Sequence, residues 1–186
     1  MAFIDTIAPA EASGELRQVY DAVEKNRGQV GEVLQLHSLN PGSLTNHLDL
    51  YMTVMFGKSP LRRKVREMLA VVVSCANRCQ YCQTHHGAAL NHFWKDDERV
   101  ARLKVDFRDA DLDAAELALA EYAWQLTREP SSVTADSTDH LRKAGWNDRA
   151  ILDAAMVISY FNFVNRMVLG LGANVESDGG AGYRYD

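Results

Sequence analysis

The 186 residues are enough for one well-buried domain and short of two. A hydrophobic content of 47% with 24% charged residues excludes a disordered or collagen-like chain. Twenty Lys and Arg against 25 Asp and Glu give a net charge of −5, which excludes the basic stripe that draws in a phosphate backbone.

Pro9, Pro41, Pro60 and Pro130 all stand where helical patterns begin or end, as an all-helical chain requires. From about residue 12 to 27, Leu16, Val19, Tyr20 and Val23 form one apolar stripe, which Asn26 to Gly28 ends. A second helix follows Pro41, with Leu44, Leu48, Met52 and Met55 on one face up to Gly57. Ser59 and Pro60 read as cap and first turn of a third, whose face runs Leu61, Val65, Leu69, Val72 and Ala76. A fourth is expected from Gln80 to about Trp94 and a short charged one near Asp97 to Leu103. Asp113 with Glu116 predicts a capping box ahead of Leu117, Ala120, Trp124 and Leu126.

Thr134 to Ala144 reads as another helix, stopped by Gly145. Asn147 then caps a final one, about Asp148 to Leu169, apolar nearly all round and so central in the core or at a subunit interface. The expected fold class is therefore all-α: a single-domain helical bundle of about eight helices over residues 1–186. Five of the twelve glycines fall at or after Gly170, so 173–186 reads as a flexible or oligomer-contacting tail. Glu67 and the apolar run after it align with Asp153 and its run at an offset of 86 residues, the register of a duplicated helical hairpin. The opening MAFIDTIAPAEAS lacks a basic stretch leading into an apolar one, and no segment of about 18 apolar residues runs without a polar break. A soluble, cytoplasmic protein is expected, with neither nucleic acid nor membrane as partner.

All three cysteines, Cys75, Cys79 and Cys82, lie within eight residues, whereas a disulfide-stapled secreted scaffold spreads an even number along its chain. Two thiols at Cys-x-x-Cys spacing can close a short disulfide. With a helix beginning beside Cys79, Cys82 lies in its first turn, where exposed N–H groups favour a thiolate over a thiol of ordinary pKa about 8.5. His86, four residues on, shares a helix face with Cys82 and can take its proton. Glu67 precedes Cys79 by twelve residues, in the middle of an apolar helix where a carboxylate needs a partner; an antiparallel hairpin would set it opposite His86. Carboxylate orients imidazole, imidazole activates thiol, and a second thiol resolves the oxidised product.

Each of these residues has a plainer reading. Cys79, Cys82 and His86 supply three zinc ligands with Cys75 as a fourth; Cys75 otherwise reads as a small buried hydrophobe. Glu67 has Arg63 as an i−4 partner for a solvated face, and the run from Arg62 to Arg66 reads as solvated too. His37, His47, His85, His92 and His140 read as structural. The same holds for Trp94, Trp124, Trp146, Tyr160, Phe161 and Phe163 as core or interface packing, while Tyr81 either lines a substrate entrance or packs.

The pattern Glu67-x11-Cys79-x2-Cys82-x3-His86 resembles that of the alkylhydroperoxidase D branch of the carboxymuconolactone decarboxylase family. The likeness is densest over 45–95, the redox core, and the segment Phe161 to Arg166 also resembles the peroxidase-related subgroup. The resemblance implies an all-helical homo-oligomer in which Cys82 becomes the sulfenic acid and Cys79 acts as proton donor and then disulfide partner. Glu67 with His86 relays protons. It implies no metal or flavin and an external dithiol reductant of dihydrolipoyl type. Some members carry His between the two cysteines; this chain has Tyr81, with His85 the candidate substitute. Decarboxylase members generally lack the pair, which argues against lactone decarboxylation. The expected function is a thiol-dependent peroxidase acting on a hydroperoxide. The alternatives are a thiol-disulfide oxidoreductase without peroxidase activity and a non-catalytic zinc-stabilised helical module.

Overall fold

Apolar side chains recurring every three to four residues, interrupted by side chains that can accept a first-turn N–H, divide the chain into helices. Asn40, Asp96, Asp113 and Asn147 each accept such a bond. The computed structural model describes residues 2–176. Among them the helices are α1 (Gly14–Arg27), α2 (Glu32–Gln35), α3 (Pro41–Phe56), α4 (Arg63–Ala76), α5 (Gln80–Trp94), α6 (Asp97–Val105), α7 (Ala114–Arg128), α8 (Ala135–Lys143) and α9 (Asp148–Leu171), with no strand. The one addition to the expected set is α2, a single turn too short to carry a periodic pattern.

The buried centre is α4, which packs against α3, α5, α6, α7 and α9. A helix surrounded in this way has little solvated surface, and this overturns the solvated reading for Arg63 and Arg66, while Arg62 stays exposed and Lys64 partly so. Arg66 is only 5% exposed and donates to the carbonyls of Leu61, Val54 and Gly57, closing the end of α3. Arg63 turns onto Glu67 and lies 3.6 Å above the Phe56 ring. The expected cap also moves: α4 starts at Arg63 because the Ser59 hydroxyl instead accepts the Leu61 N–H at 3.1 Å, making a tight turn before the helix. Ahead of α7, Asp113 caps as expected, but Glu116 reaches Lys64 at 3.1 Å rather than closing the box.

One side of α9 is buried, through Ala154, Ile158, Phe161 and Asn165, while Leu152, Met156 and Phe163 stay exposed. It is the one described helix long and apolar enough to cross a membrane, and it packs here on α3, α4 and α7. It runs unbroken through the positions that align with the α4–α5 turn, so the echo between Glu67 and Asp153 is not a second hairpin. Of the expected tail 173–186, residues 177–186 lie outside the described residues. Ala173 and Val175 pack on the core, and the Asn174 N–H donates to Glu32 at 2.6 Å.

Arg66→Ala would leave three carbonyls, two of them buried, without their donor, and the expected loss of stability is about 2–4 kcal/mol. Urea unfolding checks this, and a midpoint equal to that of the wild type would contradict it.

Candidate active site

The site grows from an abrupt reversal between α4 and α5. Arg78, a non-glycine residue, takes the left-handed conformation (φ 58°), and the Cys79 N–H closes onto the Ser74 carbonyl at 2.8 Å. Three residues thus turn the chain back on itself. Cys79 lands at the cap position of α5 and Cys82 in its first turn, as the spacing predicts. The antiparallel pair sets Glu67, in the first half of α4, against His86 on α5, with Oε2 2.7 Å from Nδ1.

Glu67 is fully buried, and burial alone would push its carboxyl upward. The His86 bond and Arg63, whose Nε donates to Oε1 at 2.8 Å, outweigh that penalty and hold it below the ordinary carboxylate value. The i−4 arginine therefore does not draw Glu67 to the surface; it offsets the buried charge to which His86 hydrogen-bonds. A carboxylate bonded to Nδ1 assigns the imidazole proton to that nitrogen and leaves the Nε2 lone pair as the basic one. The edge of Phe161, with ring centroids 4.5 Å apart, fixes the imidazole plane.

Both cysteines of the pair are free and buried. They hydrogen-bond to each other, and the Cys82 thiol donates chiefly to lower Cys79. Cys82 itself is held well above the ordinary thiol value, first by that bond, then by burial and by charge on Cys79; the Asn165 side chain pulls the other way. The helix end favours a thiolate at Cys82, whereas of the two sulfurs it is Cys79, at the cap, that ionises more readily. Access divides the sulfurs in the opposite sense. Cys82 lines a cavity of about 90 Å³ together with His86, Tyr81, His85, Tyr160 and Phe161, and Cys79 stands behind it, off the cavity wall.

Cys75 belongs elsewhere. Burial pushes its thiol up to about 11, and it faces a separate hollow beside Lys104 and Trp124. Among the described residues no three His, Cys, Asp or Glu side chains converge on a common ion position, so the four-ligand zinc set is not assembled.

His85 pairs with a different carboxylate from His86: its Nε2 lies 2.8 Å from Glu176, and its ring is tilted against Tyr81 with centroids 4.4 Å apart. Tyr81 also lines the cavity and donates to Glu176 at 2.9 Å. Against its own burial, Glu176 is brought down to about 2 by His85, by the Glu32 N–H and by Tyr81. Sequence reasoning did not find this residue. Nor did it find Asn165, fully buried on α9, which accepts from Asn77 at 3.0 Å and donates to Ser74, tying α9 to the turn behind the cysteines. A buried amide in an otherwise apolar helix was the available signal.

His47 and Tyr160 also line the cavity, bonded to each other at 3.0 Å. Burial, then His37 and Arg27, depress the His47 imidazole to about 4. A histidine depressed in the folded state binds its proton first in the unfolded chain, so folding stability falls as pH drops from about 6.5 towards that value. The loss attributable to His47 is on the order of 3 kcal/mol. A His47→Phe variant should show a flatter stability profile across that window in urea unfolding at stepped pH; parallel profiles would contradict the assignment.

Residues 44–124 match the carboxymuconolactone decarboxylase family. An uncharacterized peroxidase-related protein from Silicibacter sp. TM1040 superimposes with a TM-score of 0.85 at 29% identity, over 97% of this chain and 96% of that one. An alkyl hydroperoxide reductase of Mycobacterium tuberculosis is 31% identical over 101 residues, which span 54% of this chain and 29% of that longer protein. The debrominase Bmp8 shares the fold, with a TM-score of 0.80 at 19% identity over 97% of this chain and 95% of that one. With the motif, the helix order and these relatives in agreement, residues 44–124 resemble the carboxymuconolactone decarboxylase family and the chain has the alkylhydroperoxidase D-like fold.

Proposed function

We propose that the protein is a thiol peroxidase that reduces a small hydroperoxide. The observation that carries this reading is the Glu67–His86 bond, set on the wall of the same cavity that Cys82 lines, with Cys79 hydrogen-bonded behind it. The peroxidase-related and alkyl hydroperoxide reductase relatives support it. In the first step His86 takes one proton from the thiol pair. When the remaining shared proton sits on Cys79, Cys82 is the thiolate. It attacks the terminal peroxide oxygen, the O–O bond breaks, and Cys82 becomes a sulfenic acid as an alcohol leaves. The Cys79 thiol then attacks that sulfur; a disulfide forms, and water departs with the Cys79 proton. An external dithiol, of the dihydrolipoyl kind, returns two electrons and restores both thiols.

This sequence needs no metal or flavin, and its dithiol step suits a reducing, cytoplasmic setting. A homo-oligomer is part of the same reading, supported by the exposed Leu152, Met156 and Phe163 along one face of α9. Thiol-disulfide exchange without peroxidase activity is the alternative. It draws on the same pair but gives no role to the cavity.

Cys82→Ser is expected to abolish peroxide turnover in a dithiol-coupled assay. Glu67→Gln should raise the apparent thiol pKa read from the pH profile of alkylation, because the imidazole loses its orienting carboxylate. Wild-type turnover by the serine variant would remove Cys82 from the chemistry. Wild-type turnover on disulfides but not on peroxides would favour the alternative, and an unaltered alkylation profile would remove Glu67 from the relay.

A further inference from the structure

The mechanism so far leaves one proton unplaced. When Cys82 takes the terminal oxygen, the other oxygen departs with the bonding pair as a strongly basic alkoxide or hydroxide; Arg27 and Arg63 on the cavity wall can offset its charge but do not give up a proton. The wall of that cavity holds a second pair of titratable side chains outside the Glu67–His86 relay. Tyr160 is 5% exposed and its hydroxyl lies 3.0 Å from Nε2 of His47. It lines the same cavity as Cys82, and its phenol is held well above the ordinary value, chiefly by burial and least by charge on that sulfur. The phenol therefore stays protonated throughout the neutral range.

The Tyr160–His47 bond runs one way or the other according to the imidazole tautomer. His47 titrates at about 4, so near neutrality the ring carries a single N–H. Its Nδ1 is buried and has no hydrogen-bond partner among the described residues. One donor is left over whichever way the bond runs, the Nδ1–H or the Tyr160 O–H; a hydroxyl on the cavity wall can turn to an oxidant bound there, which favours the tautomer protonated on Nε2, donating to the Tyr160 oxygen, once the oxidant is in place. The Tyr160 hydroxyl proton is then not committed to His47 and is free to turn into the cavity that the residue lines.

We propose that Tyr160 is the proton donor to the leaving oxygen when Cys82 is oxidised, and that His47 is its positioning residue. This rests on the peroxidase reading. The Cys82 thiolate forms the S–O bond and the O–O bond breaks; the departing RO⁻ takes the Tyr160 proton and leaves as ROH. The phenolate is reprotonated by the proton that His86 took from the thiol pair, so the step closes with Tyr160 and His86 in their starting forms.

A proton donor matters in proportion to the basicity of what leaves. Hydrogen peroxide and tert-butyl hydroperoxide expel strong bases, whereas peracetic acid expels acetate, which needs no proton. Tyr160→Phe should lower kcat/KM for the first two by about 100-fold or more while changing it for peracetic acid by less than roughly threefold. Turnover of the peracid by the variant also shows that it is folded with a competent thiol. His47→Leu should give the same selective loss, smaller in size, and His47→Gln, which keeps an N–H near the Nε2 position, should recover part of it. Equal losses on all three oxidants in both Tyr160→Phe and His47→Leu would overturn the proposal. Failure of the wild type on all three would instead sink the peroxidase reading beneath it.

Discussion

A carboxylate with no exposed surface sits at the centre of this protein, and its pairing is the constraint that the rest of the site obeys. Removing Glu67 from water costs several kcal/mol unless charge and hydrogen bonds replace the lost hydration. Arg63 on the same helix and His86 on the next supply both. The pairing has two consequences. It locks α4 against α5 in one register, and it selects the imidazole tautomer whose free nitrogen is basic. A neutral residue at 67 could still pack, but it would not fix which nitrogen of His86 carries the proton.

The two sulfurs divide the chemistry between them. Cys79, at the start of α5 and fully buried, is the more acidic; Cys82, at the cavity wall, is the one a small oxidant can reach. A shared proton lets the charge pass from one to the other without leaving the pair, so the accessible sulfur need not be a permanent anion. Asn165 steadies Cys82 from α9, which ties the helix farthest along the chain to the reactive turn. Cys75, only four residues before Cys79, is kept apart by the same reversal and made inert by burial. Proximity in sequence thus says little about chemical role here.

The helices were readable because their signals are local: caps at Asn147 and Asp113, a stop at Gly145, apolar spacing along α1 and α3. The opposition of Glu67 and His86 was readable too, since two antiparallel helices joined by a short turn leave little choice of register. Three features were not. The inward turn of Arg63 and Arg66 depends on how completely α4 is surrounded, which no window of α4 reports. The polarity of the cysteine pair depends on which thiol donates, a question of side-chain geometry rather than of helix ends. Glu176 reaches His85 from more than ninety residues away, a contact that only the assembled fold creates.

The cavity offers a further division of labour, with one histidine dyad on the thiol side and another on the oxygen side. Both dyads presuppose a redox pair at Cys79 and Cys82 that responds to peroxide. Counting free thiols in the reduced protein before and after one equivalent of hydrogen peroxide tests that directly. The account predicts the loss of two thiols per chain and their full recovery with excess dithiol. An unchanged count, or the loss of one thiol that dithiol does not restore, would contradict it.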